Sequence, residues 1–161
     1  MTTYALQAFF GKDRDEMVTS IPHAAALGMR VRETGPGLAI LSLPYREDFV
    51  GDPSRGVVFG GVITTLLDQA LGLAVSCSLE DLRPIATLDL RIDYLRRAEP
   101  GRTLIGRAEC YKVTRAVAFA RGLAYEHDES DPFATCLATF MVGSSGSDSP
   151  FQKALDEYVK R

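Results

Sequence analysis

Several residue types are scarce or absent in this chain of 161 residues. It contains no tryptophan, only three cysteines and only two histidines. The cysteines lie far apart in apolar stretches and the histidines are isolated, so neither a disulfide framework nor a metal site is indicated. There is also no apolar run of about 18 residues or more, and we therefore expect no membrane-spanning helix.

The charge balance and the N-terminus narrow the possible partners further. A net charge of −3 gives no basic surplus for nucleic acid or an anionic membrane. No basic residue precedes the apolar segment 4–10, and charged residues follow it at once, which is unlike a secretory signal. We therefore expect a cytoplasmic protein.

Two catalytic or binding motifs are also absent from the sequence. The lack of a Gly-x-Ser-x-Gly elbow disfavours a serine nucleophile triad, and the lack of a phosphate-loop lysine disfavours a glycine-rich nucleotide-binding loop.

The length and a hydrophobic content of 46% predict a single domain over residues 1–161. Hydrophobic spacing and turn residues divide it into helices and strands. The predicted elements are a helix at 4–20 within a lead-in of residues 1–24; strands near 27–34 and 37–44; a loop at 45–59; a long helix at 60–78; strands near 87–94, 102–113, 116–127 and 133–142; and a linker and tail at 143–161 with a short helix at 150–160.

The most informative segment is the predicted long helix, which is apolar on most of its circumference and therefore expected to be buried. Asp68 lies in its middle with no lysine or arginine within one helical turn. Burying an unpaired carboxylate costs free energy, so Asp68 is a candidate functional group, with a solvated helix face as the alternative. Gly61, Thr64 and Thr65 share its face. Gly60 and Gly61 open the helix, where unpaired N–H groups and the dipole favour an anion.

The segments after the helix are typical of strands. Apolar and polar residues alternate from Thr87 to Tyr94, which predicts a half-exposed strand with Thr87 on the polar side. Small residues line one face of the third strand after the helix, from Ala116 to Ala124, and we expect the helix to pack there. Four antiparallel strands after the helix and two before it give an α+β layer packing. Its edges and helix-free face favour a homodimer or a dimer of dimers.

Two segments carry a resemblance to a known family. The segment GVVFGGVITTLLDQALGLA at 56–74 resembles the helix motif of hotdog-fold acyl-CoA thioesterases, with the phenylacetic acid degradation (PaaI-like) type as the closest branch. The segment TLDLRIDYLRRAEPG at 87–101 resembles the strand and turn that follow, and the similarity extends over about residues 25–142. It implies a hotdog fold, an antiparallel sheet wrapped around one long central helix, here with an extra N-terminal helix. It also implies hydrolysis of an acyl-CoA, with coenzyme A as part of the substrate and no other cofactor.

The resemblance assigns roles one residue at a time. The family's motif acid, which acts as general base or nucleophile, matches Asp68. The backbone N–H that polarises the thioester carbonyl matches that of Gly60. A hydroxyl that helps to place water in some members falls at Thr87. The residues leave open whether water attacks with Asp68 as base or Asp68 attacks directly through an anhydride.

The sequence departs from the family at two positions. Phe59 stands where the family usually has histidine, and Asp52 and Pro53 stand where it often has asparagine. Phe59 in place of histidine does not remove the oxyanion donor, because that donor is a backbone N–H. An acid in place of asparagine, such as Asp52, would oppose a developing oxyanion. These departures favour the alternative of a non-catalytic acyl-CoA-binding or sensing protein. A hotdog dehydratase is disfavoured, because such enzymes rely on a histidine and neither histidine lies in the helix motif.

Coenzyme A carries phosphates, and basic residues outnumber acidic ones between positions 91 and 121. We expect phosphate contact at Lys112, Thr114 and Arg115, with Arg96 and Arg97 as the second choice, because guanidinium groups match phosphate geometry. A solvated strand face is the alternative.

The acyl end of the substrate is expected next to the long helix. Phe59, Leu67 and Leu71 are the candidate lining residues, with core packing as the alternative for the two leucines. Gly61 and Thr64 are candidate contacts at the helix start. For the threonine hydroxyls, hydrogen bonding to the helix backbone is the alternative.

Overall fold

A six-stranded antiparallel sheet packs around one long helix in the computed structural model, which describes residues 14–143. The strand order is β1-β2-β6-β7-β8-β5, and β3 pairs with β4 in a separate hairpin. The elements are α1 Glu16–Thr19, α2 Pro22–Leu27, β1 Arg30–Gly35, β2 Leu38–Leu43, a 3-10 helix Glu47–Phe49, β3 Val50–Asp52, β4 Val57–Val58, α3 Gly60–Ser76, β5 Ile85–Tyr94, β6 Leu104–Val113, β7 Val117–Tyr125 and β8 Ala134–Val142.

The structure tests only the end of the helix predicted at 4–20, because residues 1–13 lie outside the described residues. Helix α1 lies within the predicted range, and α2 is a second short helix that was not predicted. Pro22 begins α2, because proline has no N–H to donate and disfavours helical backbone in the residue before it. Gly28 ends α2 in the left-handed region, at φ 76°. The helix predicted at 150–160 also lies outside the described residues.

The segment predicted as a loop at 45–59 has structure of its own. It contains the 3-10 helix and the β3–β4 hairpin. The amide of Phe59 donates a hydrogen bond to the carbonyl of Phe49 at 2.8 Å, so the residue before α3 is fixed to the start of the hairpin. This contact holds the chain where it enters the long helix.

The core lies between α3 and the inner face of the sheet. Leu66, Leu67 and Leu71 of α3 are fully buried, and burial of each such side chain stabilises the fold by about 1.5–3 kcal/mol. Small residues of the sheet allow α3 to lie close to the inner face of the sheet. A Cβ built on Gly122 of β7 would lie 2.8 Å from the carbonyl oxygen of Arg107 and 3.5 Å from Leu71. The predicted small-residue face is therefore confirmed from Ala118 to Ala124, whereas Ala116 is exposed before β7 begins.

A β-bulge in β5 corrects the alternation predicted from the sequence. Thr87 pairs with Phe140, but Asp89 pairs with Thr139, so Leu88 is an extra residue on its strand. A bulge shifts the side-chain alternation by one position. As a result, Thr87 faces the helix together with Tyr94 beyond the bulge, instead of lying on the opposite face, and Leu88 is 58% exposed.

Candidate active site

The N-terminus of α3 is open at its first amides. Phe59 is the residue before the helix and forms no side-chain cap. Among residues 14–143, no group accepts a hydrogen bond from the amide of Gly60 or of Gly61. Such N–H groups, at the positive end of the helix dipole, favour a negative or developing negative charge.

Aromatic side chains approach both of these glycines closely. A Cβ built on Gly60 would lie 3.2 Å from the hydroxyl of Tyr94, and one on Gly61 would lie 2.5 Å from the ring of Phe59. A side chain would therefore displace one of the aromatics. The two glycines leave the amides accessible from outside the helix.

Three hydroxyl groups hold the carbonyl side of the same turn. Thr64 donates to the carbonyl of Gly60 at 3.0 Å, and Thr65 donates to that of Gly61 at 2.9 Å. Both threonines thus make the backbone hydrogen bonds offered as the alternative to a substrate-facing role. Tyr94, which the sequence reasoning did not single out, donates to the Gly60 carbonyl at 3.1 Å. Its sequence signal was only an aromatic residue at the end of an alternating strand.

Asp68 and Thr87 are in direct contact. The Thr87 hydroxyl donates a hydrogen bond of 2.9 Å to Oδ1 of Asp68. The sequence predicted a buried, unpaired carboxylate; the side chain is instead only partly buried and has this partner. Within the described residues, Oδ2 accepts no hydrogen bond. The arrangement orients the carboxylate and leaves one oxygen for a water molecule.

The carboxylate of Asp52, at a position where the family often has asparagine, is paired with the guanidinium of Arg55. Asp52 accepts hydrogen bonds from the amide of Ser54 at 3.1 Å and its hydroxyl at 2.6 Å, and it pairs with Arg55 at 2.6 Å. The Ser54 and Arg55 hydrogen bonds lower the pKa of Asp52 below its usual range. Arg55 therefore partly offsets the negative charge of Asp52, which the sequence analysis expects to oppose a developing oxyanion. Pro53 is exposed in the same turn, and Phe59 is 62% exposed at the start of α3.

The predicted phosphate contacts fall at two ends of the sheet. Lys112 lies near the end of β6, Thr114 and Arg115 lie in the turn that joins β6 to β7, and the two basic side chains are exposed. Thr114 accepts from the amide of Val117 and donates to its carbonyl, so it shapes the turn. Tyr94 pairs with Ala134 at the other end, roughly 20 Å away along the strands. One chain therefore does not bring this turn to the start of α3.

Arg96 and Arg97 lie after β5, at the same end as Gly60. Arg96 binds Glu126 through two hydrogen bonds of 3.2 and 2.8 Å, and its guanidinium also reaches Asp131. The Glu126 side chain is fully buried, so this pair fixes the fold of the two loops. Arg97 is exposed and forms no ion pair within the described part of the chain.

Residues 14–143 contain neither a candidate metal site nor a membrane-spanning helix. No group of three or more histidine, cysteine, aspartate or glutamate side chains there could hold a metal ion. No helix in that range is long and apolar enough to cross a membrane.

Comparison with known proteins gives consistent matches. The family model described as the thioesterase superfamily matches residues 55–131. The medium/long-chain acyl-CoA thioesterase YigI of Escherichia coli is 30% identical over 139 residues, covering 78% of this chain and 88% of YigI. A Pseudomonas aeruginosa crystal structure is 40% identical with a TM-score of 0.73, covering 84% of this chain and 98% of that one. A mutant of the phenylacetic acid degradation protein PaaI from Thermus thermophilus is 28% identical with a TM-score of 0.65, covering 74% and 97%.

The sheet around one helix and these matches define a thioester hydrolase with the hotdog fold, as the sequence resemblance implied. The chain belongs to the thioesterase superfamily.

Proposed function

We propose that this protein hydrolyses an acyl-CoA thioester to the free acid and coenzyme A. The observation that carries the proposal is the hydrogen bond from Thr87 to Asp68, on the same helix whose first amides have no acceptor among the described residues. A carboxylate held in one orientation can accept a proton, and open amides can stabilise an oxyanion. The name of YigI supports an acyl-CoA of medium or long chain.

The reaction follows from these groups. Asp68 accepts a proton from water while the oxygen of that water forms a bond with the thioester carbon. The carbonyl electrons move to its oxygen, which the Gly60 amide stabilises. When the carbonyl re-forms, the carbon–sulfur bond breaks and the coenzyme A sulfur takes the proton from Asp68. Thr87 holds the carboxylate throughout, through its bond to Oδ1.

Distance along the helix favours water over direct attack by Asp68. Gly60 and Asp68 are eight positions apart in α3, which corresponds to about 12 Å of axial rise. A direct nucleophile would need a carboxylate oxygen roughly 3 Å from a carbon whose oxygen is bound to Gly60. A water molecule held by Asp68 extends the reach of the carboxylate by roughly 3 Å. We therefore propose general-base catalysis by Asp68.

A homodimer accounts for the separated phosphate candidates. The edge strand β5 exposes Leu88 and ends next to Leu95, each 58% exposed. Antiparallel pairing of β5 with β5 of a second copy would cover these side chains and reverse the two ends of the sheet. Such pairing carries Lys112 and Arg115 of one copy towards the α3 start of the other. We propose these two, with Thr114, as the phosphate contacts and Arg97 as second choice. Phe59, Gly61 and Thr64 are proposed contacts near the thioester.

The experiment measures steady-state release of free coenzyme A from short-, medium-, long-chain and aromatic acyl-CoAs. We expect turnover, with the highest kcat/KM for medium or long chains. A single turnover in ¹⁸O-labelled water then tests the mechanism, because general-base catalysis puts the label into the product acid. Label in Asp68 itself would establish the anhydride route.

The replacement of the family's usual histidine by Phe59 favours a second candidate, an acyl-CoA-binding or sensing protein. Phe59 is 62% exposed at the carbonyl site, where it can pack on an acyl chain but cannot move a proton. Saturable binding of acyl-CoA without release of coenzyme A from any substrate would select this function.

A further inference from the structure

The first turn of α3 combines features that weaken a helix end. It begins with two consecutive glycines, which lose more conformational entropy on ordering than other residues. Phe59 before it provides no side-chain cap. A turn of this kind frays unless other contacts hold it. The amides that would stabilise an oxyanion belong to this turn, so its order matters for the reaction.

The Tyr94 hydroxyl is the contact from outside the helix that holds this turn from its carbonyl side. The Gly60 carbonyl oxygen, the Thr64 hydroxyl and the Tyr94 hydroxyl form a triangle with sides of 3.0, 3.1 and 3.3 Å. Thr64 lies within α3 and moves with it, whereas Tyr94 belongs to the sheet. The bond from Tyr94 therefore links the helix start to a rigid neighbouring element.

The residues before and after Tyr94 in the sequence hold its side chain towards the helix. Before it, the bulge at Leu88 turns the later residues of β5 towards the helix. After it, the amide of Leu95 donates to the carbonyl of Phe133 at 2.9 Å, and Arg96 binds the buried Glu126. These contacts give the Tyr94 hydroxyl a fixed position relative to Gly60.

We propose that Tyr94 is a positioning residue for the thioester carbonyl site, holding the Gly60–Gly61 peptide so that its amide faces the substrate oxygen. The carbonyl of Gly60 and the N–H of Gly61 belong to one planar peptide unit. Hydrogen bonds to that carbonyl polarise the unit and strengthen its N–H as a donor. Gly61 thus becomes a second oxyanion donor beside Gly60. This inference rests on the proposed function, since it assigns a role in the same reaction.

The test compares wild type with Tyr94→Phe, which keeps the ring and removes the hydroxyl. Tyr111→Phe is the matched control, because Tyr111 is exposed to the same extent, 52%, and its hydroxyl makes no hydrogen bond among the described residues. On the best acyl-CoA substrate, we expect Tyr94→Phe to lower kcat about three- to tenfold and to leave KM within about twofold. Binding of a medium-chain S-alkyl-CoA thioether, which has no carbonyl, should not change.

A second readout needs no turnover. The amide of Thr64 closes the first turn on the Gly60 carbonyl, so its hydrogen exchange reports fraying there. We expect this exchange to be at least about threefold faster in Tyr94→Phe and unchanged in Tyr111→Phe.

The outcomes separate the two proposals. Turnover by wild type with unchanged kcat and unchanged Thr64 exchange in Tyr94→Phe overturns the role of Tyr94 and leaves the proposed function standing. A fall in thioether affinity that matches the fall in kcat also overturns it, because the hydroxyl would then serve binding in general. If wild type releases no coenzyme A from any acyl-CoA, the proposed function fails and with it the positioning role of Tyr94.

Discussion

The hydroxyl of Thr87 donates a hydrogen bond of 2.9 Å to Asp68, across the space between β5 and α3. The bulge at Leu88 makes this contact possible, because it allows Thr87 and Tyr94 of one strand to face the same helix. The two side chains serve opposite ends of the proposed site. Thr87 orients the carboxylate, and Tyr94 supports the amides at the helix start.

Replacing Thr87 tests the orientation of Asp68. Thr87→Val keeps the shape and loses the donor, and a hydrogen bond to a charged group contributes about 1.5–3 kcal/mol. We expect kcat to fall about tenfold or more. Thr87→Ser keeps the hydroxyl and should stay within about threefold of wild type. Steady-state release of coenzyme A measures both, and equal rates for the valine and serine variants would refute a role for the hydroxyl.

The Asp52 turn gives a prediction for pH. Hydrogen bonds from Ser54 and Arg55 lower the pKa of Asp52, so the folded state favours the ionised carboxylate. A lowered folded pKa contributes stability above the usual carboxyl range, and that contribution is lost as the pH falls through the folded pKa. The urea midpoint of wild type should therefore exceed that of Asp52→Asn at pH 7, and the difference should shrink near pH 3. A difference that grows on acidification would contradict the pairing.

Gly122 tests the packing of β7 against its neighbours. An added Cβ would lie 2.8 Å from a backbone oxygen, which cannot give way as a flexible side chain can. We expect Gly122→Ala to lower the free energy of unfolding by about 1–3 kcal/mol. Gly35→Ala is the control, since its Cβ would meet only ordinary contacts at 3.7 Å, and it should change stability by less than about 0.5 kcal/mol. Urea denaturation compares the two, and similar losses would argue against close packing at Gly122.

Much of the fold could be predicted from local pattern. The Gly60–Gly61 start and the apolar run predicted α3 to within two residues of its observed end at Ser76, and the strands after it appear in the predicted order. The bulge could not be predicted, because Leu88 and Leu90 continue the apolar alternation and only the pairing with β8 reveals the extra residue. Helix α2 also escaped prediction, although Pro22 was a signal for it.

The candidate site likewise contains residues that the sequence predicted and residues that only the structure reveals. The motif and the resemblance predict Asp68, Gly60 and Thr87 as site residues, and the fold brings the helix and the strand that carry them together. Tyr94 is far from Gly60 in sequence, and its role depends on a tertiary contact. The pairing of Arg96 with Glu126 spans 30 residues and was likewise invisible in the sequence. The roles of Lys112, Thr114 and Arg115 stay predictions.

The most direct test of the account is coenzyme A release by wild type and Asp68→Asn, with Glu33→Gln as a control. Glu33 is an exposed acid on β1, at the opposite edge of the sheet from β5, and its replacement should leave kcat/KM within about twofold. With folding verified by circular dichroism, the account predicts that Asp68→Asn lowers kcat/KM at least about a hundredfold. A variant that hydrolyses acyl-CoA as fast as wild type would contradict the assignment of Asp68 as the base.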